Sequence, residues 1–325
     1  MRKSKWVMGV LVVLACVMVG GAAFAAYPAK QITVLQGFKP GGGSDTLAQL
    51  TQPYLEKVIG QSFINQYIPG ATGAIAWTQL AKTSKKDGYT ISITNTPMLQ
   101  TNYIMNPEIT YNISELEPLA NVVTDPGIIV VGKDSPYKTV QDFLQAVKDN
   151  PGKITVGNSG VGGDDFFTTL IVEKATGLKF QMIPFEGDGP SWQAAMGGKI
   201  DASFNNLGIT YPQIKAGNLV PLALFAEKRY ELLPDVPTLK ELGFNVVSGS
   251  SRGYSAPKGI PEEAKNALVE AFRKMAEMPE FVKACNDRAS IIDMKFGDEY
   301  KAMLEEQETI FKGIWEEVRD QYQKK

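Results

Sequence analysis

Two glycine-rich stretches carry the residue types best suited to holding a small anion. The first, Phe38-Lys39-Pro40-Gly41-Gly42-Gly43-Ser44-Asp45-Thr46, follows the apolar run Ile32-Thr33-Val34-Leu35 and leads into Leu47-Ala48-Gln49-Leu50. The second, Gly157-Asn158-Ser159-Gly160-Val161-Gly162-Gly163-Asp164, follows Ile154-Thr155-Val156. A strand that runs through glycines into a helix leaves the amides of the first turn without partners inside that helix. The positive end of the helix dipole lies behind them, so the mouth favours an anion. Glycine lets a guest approach the backbone closely, and Ser44, Asp45 or Thr46 could cap the helix. Either loop alone is equally an ordinary turn. Two in one chain point to a cleft shared between two α/β units, beyond the ends of their strands.

Competing chemistries fail on particular residues. No Gly-x-x-x-x-Gly-Lys-Ser/Thr stretch supplies the lysine of a phosphate-cradling loop, and no clean Gly-x-Gly-x-x-Gly opens a first dinucleotide unit. Gly249-Ser250-Ser251-Arg252-Gly253 matches the Gly-x-Ser-x-Gly nucleophile elbow, but its chemistry needs a base and the chain contains no histidine. A hydrolase using Ser251 would need a lysine instead; the stretch reads better as a polar crossover between lobes. Without histidine, and with Cys285 as the one cysteine beyond residue 25, a structural zinc site is excluded. No metal, cofactor or catalytic residue is expected.

Several other residues are placed to line the cleft. Asn95 and Thr96 end the strand expected over 89–94, and Asn205, with Asn206, follows the one expected over 202–204. Phe185 is either an apolar wall or core packing. Arg252 either reaches over the cleft to a carboxylate or stays solvated. Asp45, Asp164 and Asp165 read as helix caps rather than as acids doing chemistry.

The elements that position these residues alternate along the chain. Strands are expected over 32–35, 63–67, 89–94, 128–131, 154–156, 180–184, 202–204, 220–225 and 253–256. Helices are expected over 46–59, 74–81, 139–148, 165–175, 191–196, 261–278 and 298–323. That alternation is the pattern of an α/β protein with mainly parallel sheets. Crossovers between two lobes are expected near 124–127 and 246–252.

Arg2, Lys3 and Lys5, the apolar stretch 6–19 and Ala23-Phe24-Ala25 predict a cleaved export signal over 1–25. Val13-Leu14-Ala15-Cys16 offers a lipoprotein site as the minority reading, but the residues after Cys16 stay apolar. The whole chain of 325 residues has 33 basic and 35 acidic residues, so losing three basic ones leaves 30 against 35, or about −5. That balance argues against nucleic acid or an anionic membrane surface as partner. No intrachain disulfide can form around Cys285 alone, and about 300 residues exceed one comfortable core.

With these residues in view, the chain resembles the solute-binding receptors of tripartite tricarboxylate transporters, often called the Bug receptor family. The resemblance runs from Tyr27-Pro28 through Phe38-x-Pro40-Gly41-Gly42-x-x-Asp45, Pro69-Gly70-Ala71-x-Gly73 and Asp87-Gly88-Tyr89-Thr90. It continues through Pro184-Phe185-x-Gly187, Gly198-x-x-Asp201-Ala202, Arg229, Leu233-Pro234-Asp235-Val236-Pro237-Thr238 and Ala256-Pro257-x-Gly259-x-Pro261. It implies a two-lobed type II periplasmic-binding-protein fold that closes on a small organic acid. It also implies a periplasmic location, a monomer, and delivery to one large and one small membrane subunit. A partner of a membrane sensor is the alternative with the same fold. The carboxylate would be gripped by Pro40–Thr46 and Ser159–Asp164.

The expected ligand set is therefore Phe38, Pro40, Gly41, Gly42, Gly43, Ser44, Asp45, Thr46, Asn95, Thr96, Asn158, Ser159, Gly160, Val161, Gly162, Gly163, Asp164, Phe185, Asn205 and Arg252. The expected lobes are 27–125 with 250–325, and 126–249. Asp164 and Asp165 stand where other members often carry histidine or other polar residues. Thr72 replaces a glycine of the family pattern. Two acids beside the second loop would repel a distal carboxylate unless they point away as caps.

Overall fold

The computed structural model describes residues 27–322 other than 42, 186 and 289. The expected export signal over 1–25, with Cys16, and Gly42 of the first loop lie outside the described residues. The chain begins with β1 (Ile32–Gln36), α1 (Gly43–Ile59), β2 (Phe63–Tyr67), α2 (Ala74–Lys82), β3 (Thr90–Thr96) and α3 (Met98–Met105). Next come β4 (Leu116–Gly132), α4 (Val140–Asp149), β5 (Thr155–Asn158), α5 (Asp164–Thr176), β6 (Gln181–Pro184) and α6 (Asp188–Met196). Then follow β7 (Ala202–Asn206), α7 (Leu207–Lys215), β8 (Leu219–Phe225), β9 (Gly249–Pro257), α8 (Glu262–Ala276), α9 (Pro279–Asn286), β10 (Ile292–Phe296) and α10 (Asp298–Tyr322).

β4 organises the fold. Its first part pairs antiparallel with β9 on one side and β10 on the other, extending the parallel set β2-β1-β3. Its last part, Gly127–Gly132, pairs antiparallel with β7 and β8, and β7 continues to β5 and β6 in parallel. One strand thus belongs to two sheets, and the fold is two-lobed. The ladder changes partners at Asp125-Pro126-Gly127. Proline has no amide to give a ladder, so its place is where pairing is handed over.

Gly249 opposes Pro126 at this crossing, and a Cβ there would lie 2.2 Å from the Asp125 carbonyl oxygen. Glycine is needed because the two backbones touch.

Each sheet has its own core. Ile32, Val34, Leu55, Ile91, Ile93, Tyr254, Phe272 and Phe281 pack in the first, with Cys285 buried among them. Phe143, Val156, Phe180, Phe204 and Phe225 pack in the second. The residues of β1 and β3 are buried on both faces, which explains runs of Ile, Val and Leu without strict alternation. β8 forms where the 220–225 pattern predicts, but the expectation that this strand returns towards the first lobe is corrected: it pairs with the last part of β4 in the second sheet.

α10 straps the halves together. Near its start, Tyr300 shares a 3.0 Å hydrogen bond with Thr94 of β3. Further along, Phe311 packs on Phe167 of α5 at 5.1 Å between ring centres, and Tyr322 packs on Phe166 at 5.0 Å.

Candidate functional site

A cavity of about 520 Å3 opens beside the crossing of β4 and β9. The first lobe contributes Gly41, Gly43 and Thr46 at the start of α1, with Leu47, Leu50, Val123 and Arg252. The second contributes Asp188 at the start of α6 and Gly208 and Ile209 at the start of α7. Thr124 and Asp125 form the wall between, and Arg288, Ser290 and Ile291 close one end.

The first loop is braced by its own acid. Gly41 takes φ +81, and its amide donates to Asp45 Oδ2 at 2.8 Å. Asp45 also accepts from the Tyr67 hydroxyl at 2.6 Å and the Gln49 amide at 2.9 Å. The Tyr67 bond first, then the Gly41 amide, hold its carboxyl below the usual range. Asp45 is therefore turned back onto its own loop and braces it. Ser44 is buried and donates to Asn95 Oδ1 at 3.0 Å. Asn95 pairs across the ladder with Arg252, whose Nε lies 2.8 Å from where a Gly43 Cβ would be. The guanidinium thus covers the start of α1, and its Nε is buried with no hydrogen-bond partner among the described residues.

The second loop is placed differently. Residues 158–164 are not on the cavity lining. Asn158 Oδ1 accepts from the Gly160 amide at 3.0 Å, and the Gly163 amide donates to the Gly160 carbonyl at 3.1 Å. Thr101 of α3 donates to the Gly162 carbonyl at 3.0 Å, so the loop rests on the first lobe. Val161 is 51% exposed and points away. Phe38 packs edge-on against Trp77, and Pro40 is exposed. The Thr96 hydroxyl accepts from the Ser251 amide at 3.3 Å, and Phe185 packs on Ala194, Ala195 and Ile200.

Behind Asp188 lies a group of acids. Gly163 is the N-cap of α5, so Asp164 and Asp165 occupy its first turn rather than the cap position. One carboxylate oxygen each from Asp164, Asp165 and Asp188 fall within 4.8 Å of one another. Oxygen donors of this kind suit a hard cation as well as a proton. Asn206 donates to Asp164 Oδ2 at 2.5 Å, Ser159 to Asp164 Oδ1 at 3.4 Å, and Asn205 holds the Asp188 carbonyl at 3.1 Å.

Burial, then repulsion from Asp188, raises the Asp164 carboxyl to about 6. Burial and repulsion from both neighbours push Asp165 well above its ordinary range. Asp125 accepts from the Gly208 amide at 2.8 Å, and burial raises it to about 6 despite the attraction of Arg252.

The sequence carried a signal for part of what its candidate set omitted. Pro184-Phe185-x-Gly187-Asp188 repeats the strand–glycine–helix design of the two loops, and Asn206-Leu207-Gly208 follows a strand in the same way. No local signal marks Arg288, Ser290 or Ile291, which reach the cavity because β10 pairs with the distant β4.

Ser251 lies inside β9, paired with Thr96 on one side and Thr124 on the other. Its hydroxyl is 2.8 Å from that of Thr124 and only 3% of the residue is exposed. A nucleophile elbow is instead a strand-to-helix turn.

The family model for "Tripartite tricarboxylate transporter family receptor" matches residues 47–314. A Cupriavidus necator protein encoded in the gbd 5′ region is 32% identical, with 78% of this chain and 77% of that one covered. A Polaromonas TctC solute-binding protein, solved without ligand, superposes with a TM-score of 0.79 at 30% identity, covering 90% of this chain and 100% of that one. A Rhodopseudomonas palustris protein solved with adipate superposes with a TM-score of 0.77 at 24% identity, covering 89% of this chain and 97% of that one.

Proposed function

The chain belongs to the tripartite tricarboxylate transporter receptor family, and from that premise we propose that it captures a small organic carboxylate in the cavity beside the β4–β9 crossing. Receptors of this family are periplasmic solute-binding proteins. Delivery would be to the large and small membrane subunits of a transporter of that class, with a monomer as the carrier. The adipate held by the Rhodopseudomonas relative supports a dicarboxylate-sized guest.

The observation that carries this reading is the pairing of Arg252 with the start of α1. A guanidinium with an unpartnered Nε lies against the first turn of a helix, and both face the same cavity. Guanidinium and helix N-terminus each favour a carboxylate. Asp188, Gly208 and Ile209 come from the other lobe, so a guest touching both lobes would stabilise closure about Pro126 and Gly249. Lobes of 27–125 with 250–325, and of 126–249, fit that motion.

Calorimetric titration with mono-, di- and tricarboxylates, including adipate and malate, tests the reading. Binding of at least one acid is expected, weakened by Arg252→Ala. Silence across every carboxylate, together with tight binding of a neutral sugar, would refute it.

A further inference from the structure

The cavity is short of positive charge before any guest arrives. Asp125 on β4 and Asp188 at the start of α6 both lie on its lining, and Asp164 and Asp165 stand buried behind Asp188. The described lining holds two guanidiniums, Arg252 and Arg288, and no lysine. Arg288 is partly committed, because its Nη1 donates to the Ala284 carbonyl at 3.1 Å.

One proton is already bound into this wall. Asp165 and Asp188 share a side-chain hydrogen bond, and two carboxyl groups can do so only when one of them is protonated. Asp165 holds that proton, since it is the more deeply enclosed and is repelled by both neighbours. Asp125 and Asp164 rely on a different partner. The field of Arg252 favours the charged form of each, whereas Asp188 repels both. Their other contacts bring no charge. Asp125 accepts the Gly208 amide, and Asp164 accepts from Asn206 and Ser159. Tyr230, which feels Asp125, has its hydroxyl raised first by burial and so stays neutral.

Arg252 therefore serves two acids and is also the group placed to meet a carboxylate at the start of α1. A guest that engages the guanidinium weakens its hold on Asp125 and Asp164 and adds a further negative charge to the cavity. Both effects disfavour the ionised acids.

We propose that the cavity takes up a proton together with its carboxylate guest, as Asp125 and Asp164 exchange the attraction of Arg252 for a proton from solvent. The proposal rests on the carboxylate-receptor reading above and adds how pH governs that site. Its sign follows from linkage: the occupied protein binds more protons than the empty one, so affinity rises as pH falls. In the empty protein both carboxyls lie at about 6, so uptake is largest just above that value.

The test is calorimetric titration of the purified protein with acetate, benzoate, succinate, malate and adipate. The tightest binder among them is titrated at about pH 7 in PIPES and in imidazole, whose different heats of ionisation reveal any proton exchanged with the buffer. Uptake of roughly half a proton or more is expected, with affinity rising roughly threefold or more between about pH 8 and about pH 6.5. Asp125→Asn keeps an oxygen for the Gly208 amide and removes a competitor for Arg252. It should bind the same acid roughly threefold or more tightly at about pH 8 and lose roughly half of the uptake.

Heat that does not depend on the buffer, or affinity that stays level or falls as pH is lowered over that range, overturns this inference and leaves the receptor reading intact. Weaker binding by Asp125→Asn at the alkaline end does the same, because Asp125 would then be a contact of the guest. Silence from every acid overturns both readings. If the variant does not fold, the buffer and pH series on the wild type still decide.

Discussion

Replacing Asp125 with asparagine should stabilise the empty protein at neutral pH. Asp125 sits where β4 changes sheets, accepts the Gly208 amide at 2.8 Å, and has its carboxyl raised from 3.8 to about 6, chiefly by burial. A raised folded-state value means that the stability this carboxyl contributes is fully present below the ordinary aspartate range. It is lost as pH rises through about 6. The gap is about two pH units at about 1.4 kcal/mol each, so ionisation costs the fold about 3 kcal/mol at about pH 7.5. Asparagine keeps a carbonyl oxygen for Gly208 and carries no charge. Asp125→Asn should therefore gain about 3 kcal/mol at about pH 7.5, about half that near pH 5, and almost nothing near pH 3.5. In a protein of this size the first figure corresponds to a melting temperature about 5 °C higher. Thermal unfolding of wild type and variant in matched buffers at those pH values reads the difference, so effects from other groups cancel. A variant that melts lower at neutral pH, or a difference that ignores pH, would refute the reasoning. Asp125 would then be a fully ionised partner whose loss leaves Arg252 uncompensated.

Gly249→Ala places a Cβ 2.2 Å from the Asp125 carbonyl oxygen and 2.8 Å from the Pro126 Cα, so the crossing strands must part. It should cost about 3 kcal/mol or more by urea titration, whereas Gly313→Ala, in α10 with nothing within 4 Å of its Cβ, should gain about 0.5–1 kcal/mol. An unchanged midpoint for Gly249→Ala would show that the backbones do not touch. Asp45→Asn should lose about 1–3 kcal/mol at neutral pH by weakening its bonds to Tyr67, Gly41 and Gln49. Because the Asp45 carboxyl is held low, its contribution is present above the ordinary aspartate range and disappears as pH falls through its lowered value. Wild type and Asp45→Asn should converge in acid, and a constant gap between their melting curves would contradict this. Phe311→Ala should cost about 3–5 kcal/mol and speed hydrogen exchange in α5, since Phe311 packs on Phe167. A loss below about 1 kcal/mol would mean that α10 does not strap the second lobe.

Strongly apolar elements were legible in the sequence because burial on both faces leaves little ambiguity. β2 runs over Phe63–Tyr67 as its pattern predicts, and β1 and α2 each extend one residue further than expected. α1 begins at Gly43 rather than at residue 46, so the glycines form part of the first turn as well as the approach to it. The elements missed share a physical cause. α3 follows Pro97 and shows almost no amphipathic bias, and α7 holds Pro212 inside it. β10 is half-buried at every position and carries Asp293 and Lys295, so nothing in its own residues announces a strand. Its formation depends on β4, far away in the chain. Around the cavity, the glycines of the first loop were legible from residue type, and Arg252 only as one of two alternatives. Burial of Asp164 and Asp165 against Asp188 was not, because the adjacent pair reads as helix-start acids and nothing in the sequence links it to the distant Asp188 until α5 and α6 bring them together.

That convergence has an energetic meaning for lobe closure. Buried carboxylates that repel one another are a local departure from what folding alone favours, and such departures concentrate at functional sites. Arg252 stands on β9 of the first lobe, while Asp164, Asp165 and Asp188 open helices of the second. The attraction of Arg252 for Asp164 crosses the cleft, but one guanidinium cannot satisfy three acids and still meet a carboxylate. A guest that binds only the first lobe would leave the acids unpaired and would gain nothing from closure.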